Sequence, residues 1–149
     1  MIKGNSVQYR VMEVSDYANI IALWQESDGV KLRDADSEEG IKRYLDRNPG
    51  LSFVCENNGD IIGTIMAGHD GKRGYVQHLA VAYNQRGKGV ASELISRCLE
   101  ALRLDGIIKS HIHVLSDNQL AKQYWSNQGW EKRNDIEIFS FINGDSAST

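Results

Sequence analysis

Proline, cysteine and long apolar runs are scarce in this sequence, and each scarcity narrows what the chain can be. Its 149 residues hold a single proline, and no low-complexity stretch or internal repeat interrupts them, so nothing marks a linker between domains. The two cysteines, Cys55 and Cys98, fall inside a strand-like and a helix-like apolar stretch, where an unpaired thiol behaves as a small hydrophobe. Neither a disulfide framework nor a Cys-x-x-Cys metal site is expected. No run approaches the ~20 apolar residues that cross a bilayer, and residues 1–10 lack the apolar stretch of a secretory signal. A cytoplasmic protein with no membrane partner is the expectation. A dominant charge is missing too: 17 basic against 20 acidic residues leave a net −3, which gives no global field for nucleic acid, although a local basic loop stays open. What is present, 41% hydrophobic and 25% charged residues, is the composition of a soluble globular protein. This length suits one domain that buries roughly 70% of its unfolded surface.

Hydrophobic spacing alternates strands with helices. Residues 7–11 alternate as a half-buried strand does, and Ser15 or Asp16 then caps a helix whose Tyr17, Ile20, Ile21 and Trp24 share one face. Residues 27–36 are polar and aperiodic. Asp36 and Glu39 have capping-box spacing for a second helix that stops before Asn48-Pro49-Gly50. Strands follow at 51–56, 61–68 and 75–81, the first two joined through Asn58-Gly59, a strong hairpin signal. Val90, Leu94, Ile95, Cys98 and Leu102 lie along one face of a third helix, which Asp105-Gly106 ends. A strand at 108–114, a fourth helix at 117–128 and strands at 130–133 and 136–142 complete the pattern, with 143–149 as a frayed tail.

The chemistry concentrates in one loop. Ala82-Tyr83-Asn84-Gln85-Arg86-Gly87-Lys88-Gly89 separates the strand ending at Val81 from the helix starting near Val90. Glycines permit close backbone approach, the helix N-terminus offers unpaired N–H groups, and Arg86 and Lys88 add positive charge, a combination that suits a phosphate. The P-loop pattern GxxxxGK[ST] and the dinucleotide pattern GxGxxG are both absent, so the nucleotide-binding classes keyed to them lose support. A plain basic turn is the other reading.

Arg86-x-x-Gly89-x-Ala91, preceded by Leu79-Ala80-Val81 and followed by an amphipathic helix, resembles the acetyl-CoA pyrophosphate loop of the GNAT superfamily of N-acetyltransferases. Asn118-x-x-Ala121-x-x-Tyr124-Trp125-x-x-x-Gly129-Trp130, directly after the strand Ile112-His113-Val114, is similar to the second signature of that family. The resemblance runs from about Val7 to Ile142. It implies an α/β (α+β) fold of the GNAT kind, with a mixed, mostly antiparallel sheet of six to seven strands and about four helices. The whole of 1–149 would form a single acetyltransferase domain with its core at 7–142. The sheet would splay between the strand of Leu79 to Val81 and the strand of Ile112 to Val114, and acetyl-CoA would lie in that cleft. Leu79, Ala80 and Val81 would then offer backbone to the pantetheine arm. Amides of Arg86, Gly87, Lys88, Gly89, Val90 and Ala91 would grip the pyrophosphate, and Asn118 would reach the pantetheine from the other wall. Tyr83 departs from the family, where many members have proline, so the loop is less pre-organised.

The catalytic residues are less legible. A lysine-like amine is neutral about once in 2,500 at pH 7, so a base matters most for side-chain amines. The family's general-acid tyrosine, four residues before Gly129, is Trp125 in this sequence, and an indole can donate a hydrogen bond but no proton. Tyr124 is the neighbouring phenol, rotated by ~100° on the helix, and it serves only if the helix is shifted. The base strand offers Tyr75, Gln77 and His78, of which only His78 has a suitable ordinary pKa. Family bases sit two or four positions before the leucine, so His78 faces the site only if the strand bulges. His111 and His113 share a strand face without a third clear ligand, so no metal is expected.

The resemblance implies transfer of an acetyl group from acetyl-CoA to a small-molecule or peptide amine by direct attack in a ternary complex. The alternative is a CoA-binding module of the same fold with little or no activity, a reading that Trp125 and the lack of a carboxylate on the base strand motivate. Asp28, Asp34 and Asp36, in the irregular segment expected to line the acceptor pocket with Trp24, favour a cationic acceptor. The apolar final strand suits a homodimer interface or the core equally.

Overall fold

The computed structural model of the chain describes residues 7–27 and 30–145. Strand β1 (Val7–Val11) pairs antiparallel with β2 (Phe53–Asn57), β2 with β3 (Asp60–His69), and β3 with β4 (Gly74–Val81). Asn58 and Gly59, at φ of 54° and 86°, make the tight turn between β2 and β3 that their sequence requires. Strand β5 (Ser110–Ile112) lies parallel to β4 and closes a sheet of order β1-β2-β3-β4-β5. Helices α1 (Tyr17–Gln25) and α2 (Glu38–Arg47) cover one face, and α3 (Val90–Leu104) covers the other, with α4 (Gln119–Asn127) following β5.

Each face buries its own core. Leu94, Cys98 and Leu102 of α3 are fully buried among Cys55, Ile65, Ala67 and Val76 of the sheet. Gly63 allows this approach, since a Cβ there would stand 2.9 Å from Val90 Cγ1 and 3.1 Å from Leu94 Cδ1. On the opposite face Ile20 and Trp24 of α1 and Ile41 of α2 pack on Val54, Met66 and Ala80. Arg10 of β1 ties this half together through Asp16, at 2.7 Å, and Glu56 of β2. Burial alone would raise the Asp16 carboxyl, but the Arg10 guanidinium and the Glu13 amide outweigh it and hold the group below the usual carboxylate range.

Two expectations change. Asp36 does not open α2: Ser37 does, its hydroxyl accepting from the Gly40 amide at 3.1 Å, while the Asp36 carboxylate is engaged elsewhere. The sheet, moreover, has five strands among the described residues, not six or seven, and β5 is shorter than the expected 108–114. Neither 130–133 nor 136–142 is a strand. Alternation gives strand propensity, but a strand exists only against a partner edge. Gly129, at φ 91°, and the Trp130 amide bonded back to Trp125 O turn the chain out after α4. Residues 131–145 then make no backbone hydrogen bond to another described residue. Phe139 and Phe141 stand 93% and 88% exposed. Residues 146–149, part of the expected frayed tail, lie outside the described residues, as does Asp28.

Candidate functional site

The loop after β4 turns through a short 3₁₀ segment, Tyr83–Gln85, and delivers the chain to α3 through two glycines. Gly87 and Gly89 have φ of 78° and 85°, a region that L side chains avoid, and a Cβ at either position would meet nothing within 4 Å. The backbone is therefore open on that side. No side chain caps α3, and the first-turn amides of Val90 and Ala91 have no helical acceptor. Arg86 Nε donates to Val81 O at 3.1 Å and its guanidinium stands 5.3 Å from the Tyr83 ring centre, so the aromatic residue holds the cation in the loop where proline would have stiffened the backbone. Lys88 Nζ stands 3.4 Å from Gln85 Oε1. Neither cation pairs with a carboxylate among the described residues. Uncapped amides, two cations and open backbone are a set of donors that could hold a pyrophosphate.

Beside it the sheet opens. β5 pairs with β4 only from Gly74 to Val76, while β4 continues to Val81, so Leu79, Ala80 and Val81 have no partner on their β5 side. Gly74 permits the contact at the closed end, where a Cβ would lie 2.4 Å from Ser110 Oγ. Ala80 is buried toward α1, whereas Leu79 and Val81 pack on the α3 side. Asn118 is the N-cap of α4, its Oδ1 accepting from the Ala121 amide at 3.0 Å, which leaves its NH₂ as the group able to reach the cleft.

β4 bulges where the site needs it. Thr64 pairs with Ala80 and Met66 with Gln77, so Ile65 faces both His78 and Leu79. His78 takes φ 53° and its ring swings to the α1 and α2 face. Buried Thr64 fixes the bulge: its hydroxyl donates to His78 O at 2.9 Å and accepts from Trp24 Nε1 at 2.8 Å. The Trp24 ring meets the imidazole edge to face at 4.5 Å between centroids. His78 Nε2 stands 2.7 Å from Asp36 Oδ1, and the other Asp36 oxygen accepts from the Arg33 amide at 2.9 Å. Burial pushes the Asp36 carboxyl up, but the His78 and Arg33 hydrogen bonds more than offset it and hold the group low. A carboxylate only accepts, so Nε2 carries a proton, and in the neutral imidazole Nδ1 is then the acceptor.

Trp125 is 7% exposed and meets Trp130 edge to face at 4.8 Å between ring centroids, as a core residue does. Tyr124 packs edge-on to Trp125 at 5.5 Å, and its hydroxyl is buried with no hydrogen-bond partner. Burial pushes the Cys98 thiol to about 12 and raises Cys55 as well, so neither is a nucleophile. The His111 ring lies against Tyr75 at 5.9 Å, and among the described residues no group of three His, Cys, Asp or Glu is placed to hold a metal.

The sequence model of the acetyltransferase (GNAT) family matches residues 17–130. The chain belongs to that family. An acetyltransferase of Pectobacterium atrosepticum is 38% identical over 112 residues, 75% of this chain and 79% of that one. One of Yersinia pestis is 34% identical over 132 residues, 89% and 93% of the two chains. Among solved structures, the PaiA N-acetyltransferase of Thermoplasma acidophilum in complex with coenzyme A superposes with a TM-score of 0.76 at 16% identity, over 88% of this chain and 93% of that one. The aminoglycoside N-acetyltransferase AAC(6')-Iy in complex with CoA gives 0.77 at 17%, over 97% and 99%. These two likenesses show the fold.

As a GNAT member the chain is an acetyl-CoA-dependent acetyltransferase, with acetyl-CoA as co-substrate. The residues present fit that group, because the unpaired stretch of β4, the open Gly87 and Gly89 backbone and the uncapped α3 amides follow one another within residues 79–91. Sequence reasoning missed Asp36 as a partner of His78, since the two lie 42 residues apart and Asp36 carries a helix-cap signal of its own. Thr64 had no local signal at all.

Proposed function

We propose that this GNAT acetyltransferase acetylates an amine by direct attack in a ternary complex, with His78 Nδ1 as general base and Asp36 as the residue that positions it. The hydrogen bond from His78 Nε2 to Asp36, on a bulge that turns the ring to the face opposite α3, carries this reading. Acetyl-CoA supplies an activated acyl group as a thioester. The α3 amides with Arg86 and Lys88 hold its pyrophosphate, and Leu79, Ala80, Val81 and Asn118 flank its arm. His78 Nδ1 takes the proton the amine sheds as its nitrogen forms the new amide bond. The buried, unpartnered Tyr124 hydroxyl is a proton donor for the leaving thiolate, and Trp125 has a packing role. Two buried free thiols suit a cytoplasmic enzyme, and the uncovered apolar segment 136–142 supports self-association as a homodimer. Of the two motives for the non-catalytic alternative, the lack of a carboxylate on the base strand is answered by Asp36, which reaches His78 from outside that strand, while Trp125 at the acid position stands.

Calorimetric titration with acetyl-CoA tests the donor half: micromolar binding is expected, and the double substitution Arg86→Glu with Gly89→Glu abolishes it while the fold persists. His78→Ala then separates binding from chemistry. Its acetyl-CoA affinity should stay within about twofold while turnover of an amine falls by about 10²-fold or more. Unchanged turnover overturns the assignment of the base.

A further inference from the structure

A groove of about 290 Å³ runs along the inner side of α2, floored by Met66 and Gln77 and walled by Arg43, Tyr44 and Arg47. Asp36 closes its end nearest the His78 ring. The position is that of the acceptor side of the reaction, so what lines this groove meets the part of the acceptor remote from its amine. Its charge runs opposite to the sequence-based expectation. Asp36 is committed to His78 and to the Arg33 amide. Arg43 and Arg47 are one helical turn apart on the groove side; Arg43 has only a 3.4 Å contact with the exposed Glu39, and Arg47 has no ion pair or hydrogen bond among the described residues. The Tyr44 hydroxyl lies deeper, against Gly68 of β3, buried without a well-formed hydrogen bond and with the Gln77 amide as its polar neighbour. Both side chains are exposed, so water screens their mutual repulsion, and their planar donors are free to match the oxygens of a carboxylate or phosphate that enters the groove.

We infer that the acceptor is an amine whose far end carries an acidic group, held by Arg43 and Arg47 while the amine meets His78. The inference rests on the proposed role of His78 in placing the amine. Arg43 and Arg47 lie about 9 and 15 Å along the α2 axis from its cap, and side chains lean back toward the helix N-terminus. The acid and the amine are thus separated by a chain of several atoms, which favours an ω-amino acid, a peptide-like acceptor or an amino-phosphate over a free α-amino acid.

The test uses matched acceptors: 5-aminopentanoate, 4-aminobutyl phosphate, pentylamine and 1,5-diaminopentane. Binding of each to the CoA-loaded protein is measured by calorimetry, and acetylation rates are measured with acetyl-CoA. The acid-terminated amines should bind about tenfold or more tightly than pentylamine, and Arg43→Ala with Arg47→Ala should remove that margin while leaving acetyl-CoA affinity and the thermal midpoint unchanged. Arg47→Glu should turn the preference toward the diamine. Equal binding of charged and neutral amines, a wild-type preference for the diamine, or a margin that survives the double substitution overturns the inference. The relative margins of carboxylate and phosphate identify the acid. The binding arm keeps the two claims apart: a margin in binding with turnover insensitive to His78→Ala overturns the base and leaves the groove, whereas turnover without a margin overturns the groove alone.

Discussion

His78 is a residue whose chemistry depends on two neighbours it does not share a segment with. Thr64 pins the carbonyl that its positive φ turns inward, and Asp36 holds its Nε2. Replacing Asp36 with Asn keeps the shape and removes the carboxylate that accepts from Nε2. In Asp36→Asn kcat should fall roughly 10- to 100-fold as the tautomer is lost, with the KM for acetyl-CoA unchanged. A kcat equal to that of the wild type would show that Asp36 serves the fold and not the base. The sequence exposed His78 as the one titratable group of suitable pKa on its strand, and it made the condition for its use explicit, a bulge. It could not expose the bulge itself, because Ile65 lying opposite two residues is a property of the register between strands. Nor could it show Asp36 leaving the helix cap to Ser37.

At the scale of elements, α3 is both the main helix packed on its face of the sheet and, in the proposed reading, the wall that presents its amides to the phosphate. Its Leu94 is fully buried, so Leu94→Ala should cost about 3 kcal/mol in urea unfolding. Acetyl-CoA affinity should fall by less than that energy would allow, since the helix start is set by Gly89 and Val90 rather than by the middle turns. A loss below about 1 kcal/mol would mean that the site collapses around the smaller side chain. The loop and α3 were the most legible part of the chain, because glycine conformation, uncapped amides and a helical stripe are all local properties of sequence. The same holds for the Asn58-Gly59 turn. The groove proposed for the acceptor was not legible: its lining comes from α2, β3 and β4, and the aspartates of the irregular segment gave no sign that Asp36 is paired with His78.

At the scale of the molecule, the segment 136–142 has the alternation of a strand but joins no strand among the described residues, and β5 ends the sheet with an unpaired edge. In the proposed homodimer each of these would find its partner on the other copy, and covering Ile138, Phe139 and Phe141 would remove a large apolar surface from water. Sedimentation velocity should find the full chain as a dimer whose fraction rises with concentration, and a chain ending at Asp135 as a monomer. A full-length monomer at every concentration would overturn the dimer. On the proposed assignment the sheet divides the labour of this enzyme: the donor is gripped on the side of α3, the acceptor on the side of α2, and the two meet at the slot where β4 outruns β5. Sequence drift in α2 would then rewrite which amine is chosen without disturbing the grip on the nucleotide end.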